Sequence, residues 1–141
     1  MEIHQLSWKE VLNSRSLKAT QVRLKLLQIL EQRTSATPYS ILVKSMTPID
    51  RVTLYRTLES LLNQGIIHEA YSEHEETYFA LCGRECNEVN HNHKHIHFKC
   101  IRCNEVTCIH ASLPHEIEIP GVEIHHWSIV ATGICNHCCK A

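Results

Sequence analysis

The chain has 141 residues, 14 Lys and Arg against 15 Asp and Glu, a length for one domain or two small ones, each half marginal without help from metal or cross-links. A net charge of −1 excludes a uniformly basic nucleic-acid coat, yet residues 1–64 carry nine basic against five acidic side chains and residues 65–141 five against ten, which suggests an anion-binding module joined to one employed differently. Nothing reads as a transmembrane span or signal peptide, so a soluble, cytoplasmic protein with no membrane partner is expected.

Residues 6–14 read as a short helix. Thr20 is an N-cap signal before a second helix, in which Val22, Leu26, Ile29 and Leu30 recur at helical spacing. A third, after Pro38, carries Ile41 and Leu42 inward. Pro48, Ile49 and Asp50 announce the helix of "RVTLYRTLESLLNQG", closed by Gly65 as its C-terminal cap. Its apolar stripe is Leu54, Leu58, Leu61 and Leu62, which leaves Val52, Thr53, Tyr55, Arg56 and Thr57 on other faces. Beyond Gly65 the period changes to two, and residues 66–71 and 77–82 read as strands joined by the acidic turn "SEHEE". Helices followed by a two-stranded ribbon give the order of a winged helix, with the last helix presented to a DNA major groove. A helical mini-domain with a hairpin and no ligand is the plainer alternative. Residues 83–92 are polar and patternless and divide the chain into domains 1–82 and 93–141. In the second, 95–100 and 105–110 read as strands, 114–121 leave room for one helical turn at most, and 122–132 form a last strand.

Eight Cys and twelve His are a heavy load for this length, and eleven of the His and every Cys lie at or after His68. Two Cys-x-x-Cys pairs, Cys100/Cys103 and Cys135/Cys138, supply four thiolates at the spacing a tetrahedral zinc requires, with sulfur about 2.3 Å from the ion and no position left for a substrate. Such a site is structural. Redox pairs or disulfides are the alternative, which a reducing compartment disfavours. Zinc binding worth on the order of 10 kcal/mol exceeds what a small apolar core adds, so the second half should need zinc to fold. His95 and His97 alternate onto one face of a strand, within reach of one ion.

Taken in order, "LKATQVRLKLLQIL", "VTLYRTLESLLNQGII", "HIHFKCIRCNEV" and "GICNHC" resemble the ferric uptake regulator family of metal-sensing bacterial repressors over nearly the whole chain. The resemblance implies an α+β protein, an N-terminal winged-helix DNA-binding domain followed by a small α/β zinc-bound dimerisation domain. It also implies a homodimer whose metal occupancy sets the posture of two heads on a double-stranded operator controlling metal-uptake or stress genes. Cys100, Cys103, Cys135 and Cys138 match the structural zinc ligands, and Tyr55 and Arg56 match residues that approach DNA. Arg bonds guanine edges or phosphate, and Tyr packs on a thymine methyl or bonds phosphate. Lys18, Thr20 and Arg23, beside a helix start, and Thr53 are further DNA-contact candidates; Arg51 is equally a phosphate contact or a solvated charge.

For the regulatory ion, family members use the wing, the His-x-His and a residue after the first knuckle. The corresponding candidates are Cys82, His95, His97 and either His68 or Cys108, although Cys108 also reads as a small core residue and His68 as a solvated one. Ala80 stands where iron sensors place Glu. Thiolate and imidazole in place of oxygen donors favour zinc over ferrous iron or manganese, which points to the zinc-sensing branch. A further family site falls on Lys94, Ile96, His115 and Trp127 and is expected to be absent. An iron- or peroxide-responsive regulator is the rival within the family. A zinc hydrolase would need an acid or base beside an open metal position, and no His-Glu-x-x-His occurs, so no enzyme is expected. The sequence assigns no role to Cys86, Cys139, His91 or His93.

Overall fold

The computed structural model describes residues 6–82, 95–110, 117–125 and 127–140, with the side chains of His95 and His110 left aside. The first half opens with helix α1 (Trp8–Ser14), whose N-terminus is closed by a reciprocal capping box between Ser7 and Glu10. Helix α2 (Gln21–Gln32) is capped by the Thr20 hydroxyl, which accepts from the Arg23 N–H. After β1 (Thr37–Pro38) come α3 (Tyr39–Met46) and α4 (Arg51–Asn63). Asp50 caps α4, and Gly65, at φ 67, takes the left-handed turn that ends it. Leu12, Leu26, Leu27, Leu42, Leu54, Leu61 and Ile67 are all but sealed from solvent and form the core that fixes these helices.

One helical position departs from the sequence reading: Thr57 is buried. It lies three residues after Leu54 and four before Leu61, hence on the same stripe. Its hydroxyl donates to the Thr53 carbonyl at 2.7 Å, which satisfies the polar atom within the helix.

The ribbon is β2 (Ile67–Glu73) and β3 (Glu76–Leu81), joined through His74 and Glu75, both at positive φ, as a two-residue mirror-image turn demands. Strand β1 pairs with the free side of β3, giving the order β1-β3-β2; a two-residue strand is too short to show a period. The second half holds β4 (His95–Cys100), β5 (Val106–His110), β6 (Ile129–Gly133) and a short α5 (Asn136–Cys139). Its sheet runs β5-β4-β6, with β4 antiparallel to β5 and parallel to β6. The last strand is shorter than the expected 122–132: it begins at Ile129, and residues 122–125 hold no strand, while the turn at Pro120 and Gly121, at φ 81, falls where the sequence placed an interruption. The expected hinge, 83–92, lies outside the described residues.

The two sheets touch. Ala36, Ala70, Tyr78 and Val106 form a small buried cluster between them, and the Ala36 N–H donates to the Val106 carbonyl at 2.7 Å.

Candidate metal centres and nucleic-acid interface

The first knuckle is the turn between β4 and β5, and the second is the start of α5. Residues 32 apart in sequence meet because β6 runs beside β4, so that Gly133 pairs with Cys100 and delivers Cys135 alongside. The sulfurs of Cys100, Cys103, Cys135 and Cys138 all lie within 4.8 Å of one another. A tetrahedral ion at about 2.3 Å from each sulfur sets them about 3.8 Å apart, and the Cys103–Cys135 separation is 3.9 Å. The Cys135 N–H points at the Cys100 sulfur at 3.3 Å, and Arg102 ties the knuckles by donating to the Cys138 carbonyl. Backbone N–H groups of Cys103 and Cys135 hold the Cys100 thiol down at about 6. The Cys135 sulfur, together with burial, pushes Cys138 up to about 12. Four sulfurs this close ionise together only around a cation, and the donor set fits a closed structural metal.

A second cluster spans the two sheets. His68 on β2, His97 on β4 and Cys108 on β5 present ligand atoms within 4.8 Å of one another. Both imidazoles are buried, with ring centroids 5.2 Å apart. His97 and Cys108 are direct cross-strand partners and share a face. The Cys108 sulfur is 3.5 Å from His68 Nε2, close to the separation of about 3.5 Å that nitrogen and sulfur ligands take around one zinc. Burial raises the Cys108 thiol to about 11, so a cation there would have to displace its proton. Cys82 lies 3.5 Å from the other nitrogen, His68 Nδ1. The sequence offered His68 or Cys108; the structure brings both to one point. It gives no position for the His95 side chain, which lies outside the described residues.

On α4, Tyr55 is 63 % exposed and Val52 59 %, with Arg51, Thr53 and Arg56 exposed beside them. The leucine stripe behind them holds that row outward. Several of the other candidates have structural work: the Thr53 hydroxyl donates to Asp50, the Thr20 hydroxyl caps α2, and the Arg23 guanidinium donates to the Lys18 carbonyl at 2.8 Å. Lys18 itself is exposed. What the sequence reading missed is the contact of Lys99 on β4 with Glu73 on β2, at 2.8 Å. The signal was there in outline, since Lys99 follows His97 by two residues and shares its face.

A winged helix joined to a small sheet with two clusters of thiol and imidazole donors defines a class: a metal-responsive, DNA-binding regulator. The chain belongs to the ferric uptake regulator family, whose family model matches residues 14–137. It is a transcription regulator, not an enzyme. A ferric uptake regulation protein of Neisseria gonorrhoeae is 29% identical over 137 residues, covering 90% of each chain. Among solved structures, a zinc uptake regulator complexed with zinc and DNA superposes with TM-score 0.62 at 22% identity, covering 94% of this chain and 90% of that one. A Campylobacter jejuni peroxide stress regulator gives 0.55 at 20% identity, covering 94% and 100%. The family model shows the family and the structural likenesses the fold, and the similar proteins include regulators of different stimuli.

Proposed function

We propose that this regulator senses zinc and represses metal-uptake genes from the cytoplasm, as a homodimer on a double-stranded operator. Residues 1–82 would form the DNA-reading head and 93–141 the dimerisation domain. One observation carries the reading: a cluster of two imidazoles and a thiol, His68, His97 and Cys108, whose members come from both sides of the junction between ribbon and second sheet. Soft nitrogen and sulfur donors favour zinc, and no carboxylate belongs to the cluster among the described residues. Cys82 is the nearest described thiol to supply a fourth donor; it faces Nδ1 while Cys108 faces Nε2, so joining the same shell requires rotating its side chain. His95 remains a candidate from its strand position.

His68, His97 and Cys108 would hold the ion, and zinc there would supply a Lewis-acidic link between ribbon and sheet. The chain's own residues do the rest. His68 carries the ribbon and, through it, α4; His97 and Cys108 carry the sheet; fixing one to the other lowers the entropy lost when two heads bind successive half-sites. A coupling of a few kcal/mol suffices to switch occupancy. At the operator, Tyr55 and Arg56 would reach base edges and phosphate, with Arg51, Thr53, Lys18, Thr20 and Arg23 near the backbone. The all-cysteine site would hold a permanent zinc.

The test is operator affinity with the four-cysteine ion in place and the second site either loaded with zinc or stripped. Affinity should fall at least tenfold on stripping. Equal affinity in the two states rejects the mechanism, and a stronger response to ferrous iron than to zinc rejects the choice of metal.

A further inference from the structure

The side of the second sheet that faces the ribbon carries two cross-strand pairs, His97 with Cys108 and Lys99 with Val106. The first pair belongs to the metal cluster. The second makes a contact that uses no metal ligand. The Lys99 ammonium lies 2.8 Å from the Glu73 carboxylate, and its side chain is 13% exposed. The Tyr71 hydroxyl donates to the same carboxylate oxygen at 2.8 Å. Lys99 Nζ also stands 4.8 Å from the centre of the Tyr71 ring and 5.6 Å from that of Tyr78. The ammonium thus sits between one carboxylate and two aromatic rings, with Val106 sealed beside it.

The backbone of β2 explains how one strand serves both contacts. Strict alternation would place His68 and Ala70 on one face and Tyr71 and Glu73 on the other. Between Glu69 and Tyr71 the register shifts: Glu69 pairs with Phe79 and Tyr71 with Tyr78, so β2 advances two residues against one on β3. That β-bulge resets the phase of alternation. His68 on one side of it and Tyr71 with Glu73 on the other therefore both meet the second sheet.

We propose that Lys99 is a positioning residue for the metal response: with Glu73, Tyr71 and Tyr78 it latches the ribbon onto the dimerisation sheet at a second point, and so sets how much metal is needed to hold the head in its DNA-binding posture. The proposal rests on the functional reading above. Because the latch involves none of the ligands, it acts whether the metal cluster is filled or emptied. Seating the ribbon with the latch brings His68 up to His97 and Cys108, so the latch and the metal favour the same arrangement and must strengthen each other reciprocally. An exposed ion pair adds little, but a mostly buried ammonium against two aromatic rings adds more.

The experiment measures two quantities on the full-length dimer with its four-cysteine zinc retained: zinc affinity of the bridging site by chelator competition, and operator affinity against free zinc. Lys99→Met and Glu73→Gln should each weaken zinc binding about fivefold, and shift the zinc required for operator binding by the same factor. Lys99→Arg should recover part of it. Glu73→Gln lies on the ribbon, away from the cysteine knuckles, so it guards against a folding defect from altering the neighbour of Cys100. Unchanged zinc affinity in both single variants overturns the latch. If wild-type operator binding ignores zinc, the functional reading fails, while the chelator competition still decides the latch.

Discussion

At the scale of single residues, the chemistry turns on which sulfurs have company. Cys139 is exposed and hydrogen-bonded to the Ile134 carbonyl, outside the four-sulfur set, whereas Cys108 clusters with two imidazoles, one from the neighbouring strand and one from the ribbon. Loading cobalt at the proposed bridging site makes this countable, because sulfur-to-metal charge-transfer absorbance grows with the number of cobalt–thiolate bonds. With the four-cysteine site kept on zinc, the wild type should show absorbance for two thiolates. Cys108→Ser and Cys82→Ser should each remove about half of it. Cys139→Ser should leave it unchanged. Retention of the full band in Cys82→Ser would make Cys82 an orienting partner of His68 Nδ1, of the kind that tunes a metal ligand from outside its shell.

At the scale of elements, α4 depends on how it begins. The Asp50 carboxylate accepts from the Thr53 N–H at 2.9 Å and from its hydroxyl at 2.7 Å, and these bonds hold its pKa below the ordinary carboxyl value. A depressed folded pKa means that the ionised cap stabilises the helix above the unfolded carboxyl pKa. That contribution is lost as pH falls through the lower folded value. Asp50→Ala should therefore lower the urea midpoint near neutral pH, with the gap to wild type narrowing as the solution is acidified. A gap constant with pH would mean that the cap's charge is irrelevant. This helix was legible in the sequence, since its cap, leucine stripe and closing glycine act within a few residues of each other. So were the strands of the ribbon and the two knuckles. Long-range facts were not: β1 carries no period, and the meeting of His68 with Cys108 depends on how two sheets face each other. Thr57 was misplaced because a hydroxyl satisfied inside its own helix looks polar in sequence and packs as if apolar.

At the scale of the molecule, the two halves differ in what they leave uncovered. Large apolar side chains left exposed are concentrated in the second half, where Ile101, Ile119, Val122 and Val130 are each more than 45 % exposed. On its sheet, Ile109, Ile96 and Ile129 are register partners in one row, on the face opposite His97 and Cys108, and Ile109 is 44% exposed. The ribbon packs on the metal-bearing face at His97 and Cys108, which leaves the isoleucine row as an apolar surface open to a second copy, in keeping with the proposed homodimer. In a two-fold interface each substitution acts twice. Ile109→Glu removes roughly 1.5–3 kcal/mol of burial per protomer and adds a charge to be desolvated, so dimer affinity should fall at least a hundredfold. Sedimentation at micromolar protein should then show monomer with the four-cysteine zinc still bound, because the knuckles stand on other strand ends. Operator binding should separate the two roles: affinity for a paired site should collapse while affinity for one half-site persists, since the α4 row proposed to read DNA lies within a single head. A dimer that survives the charge would place the interface on another face of the second half.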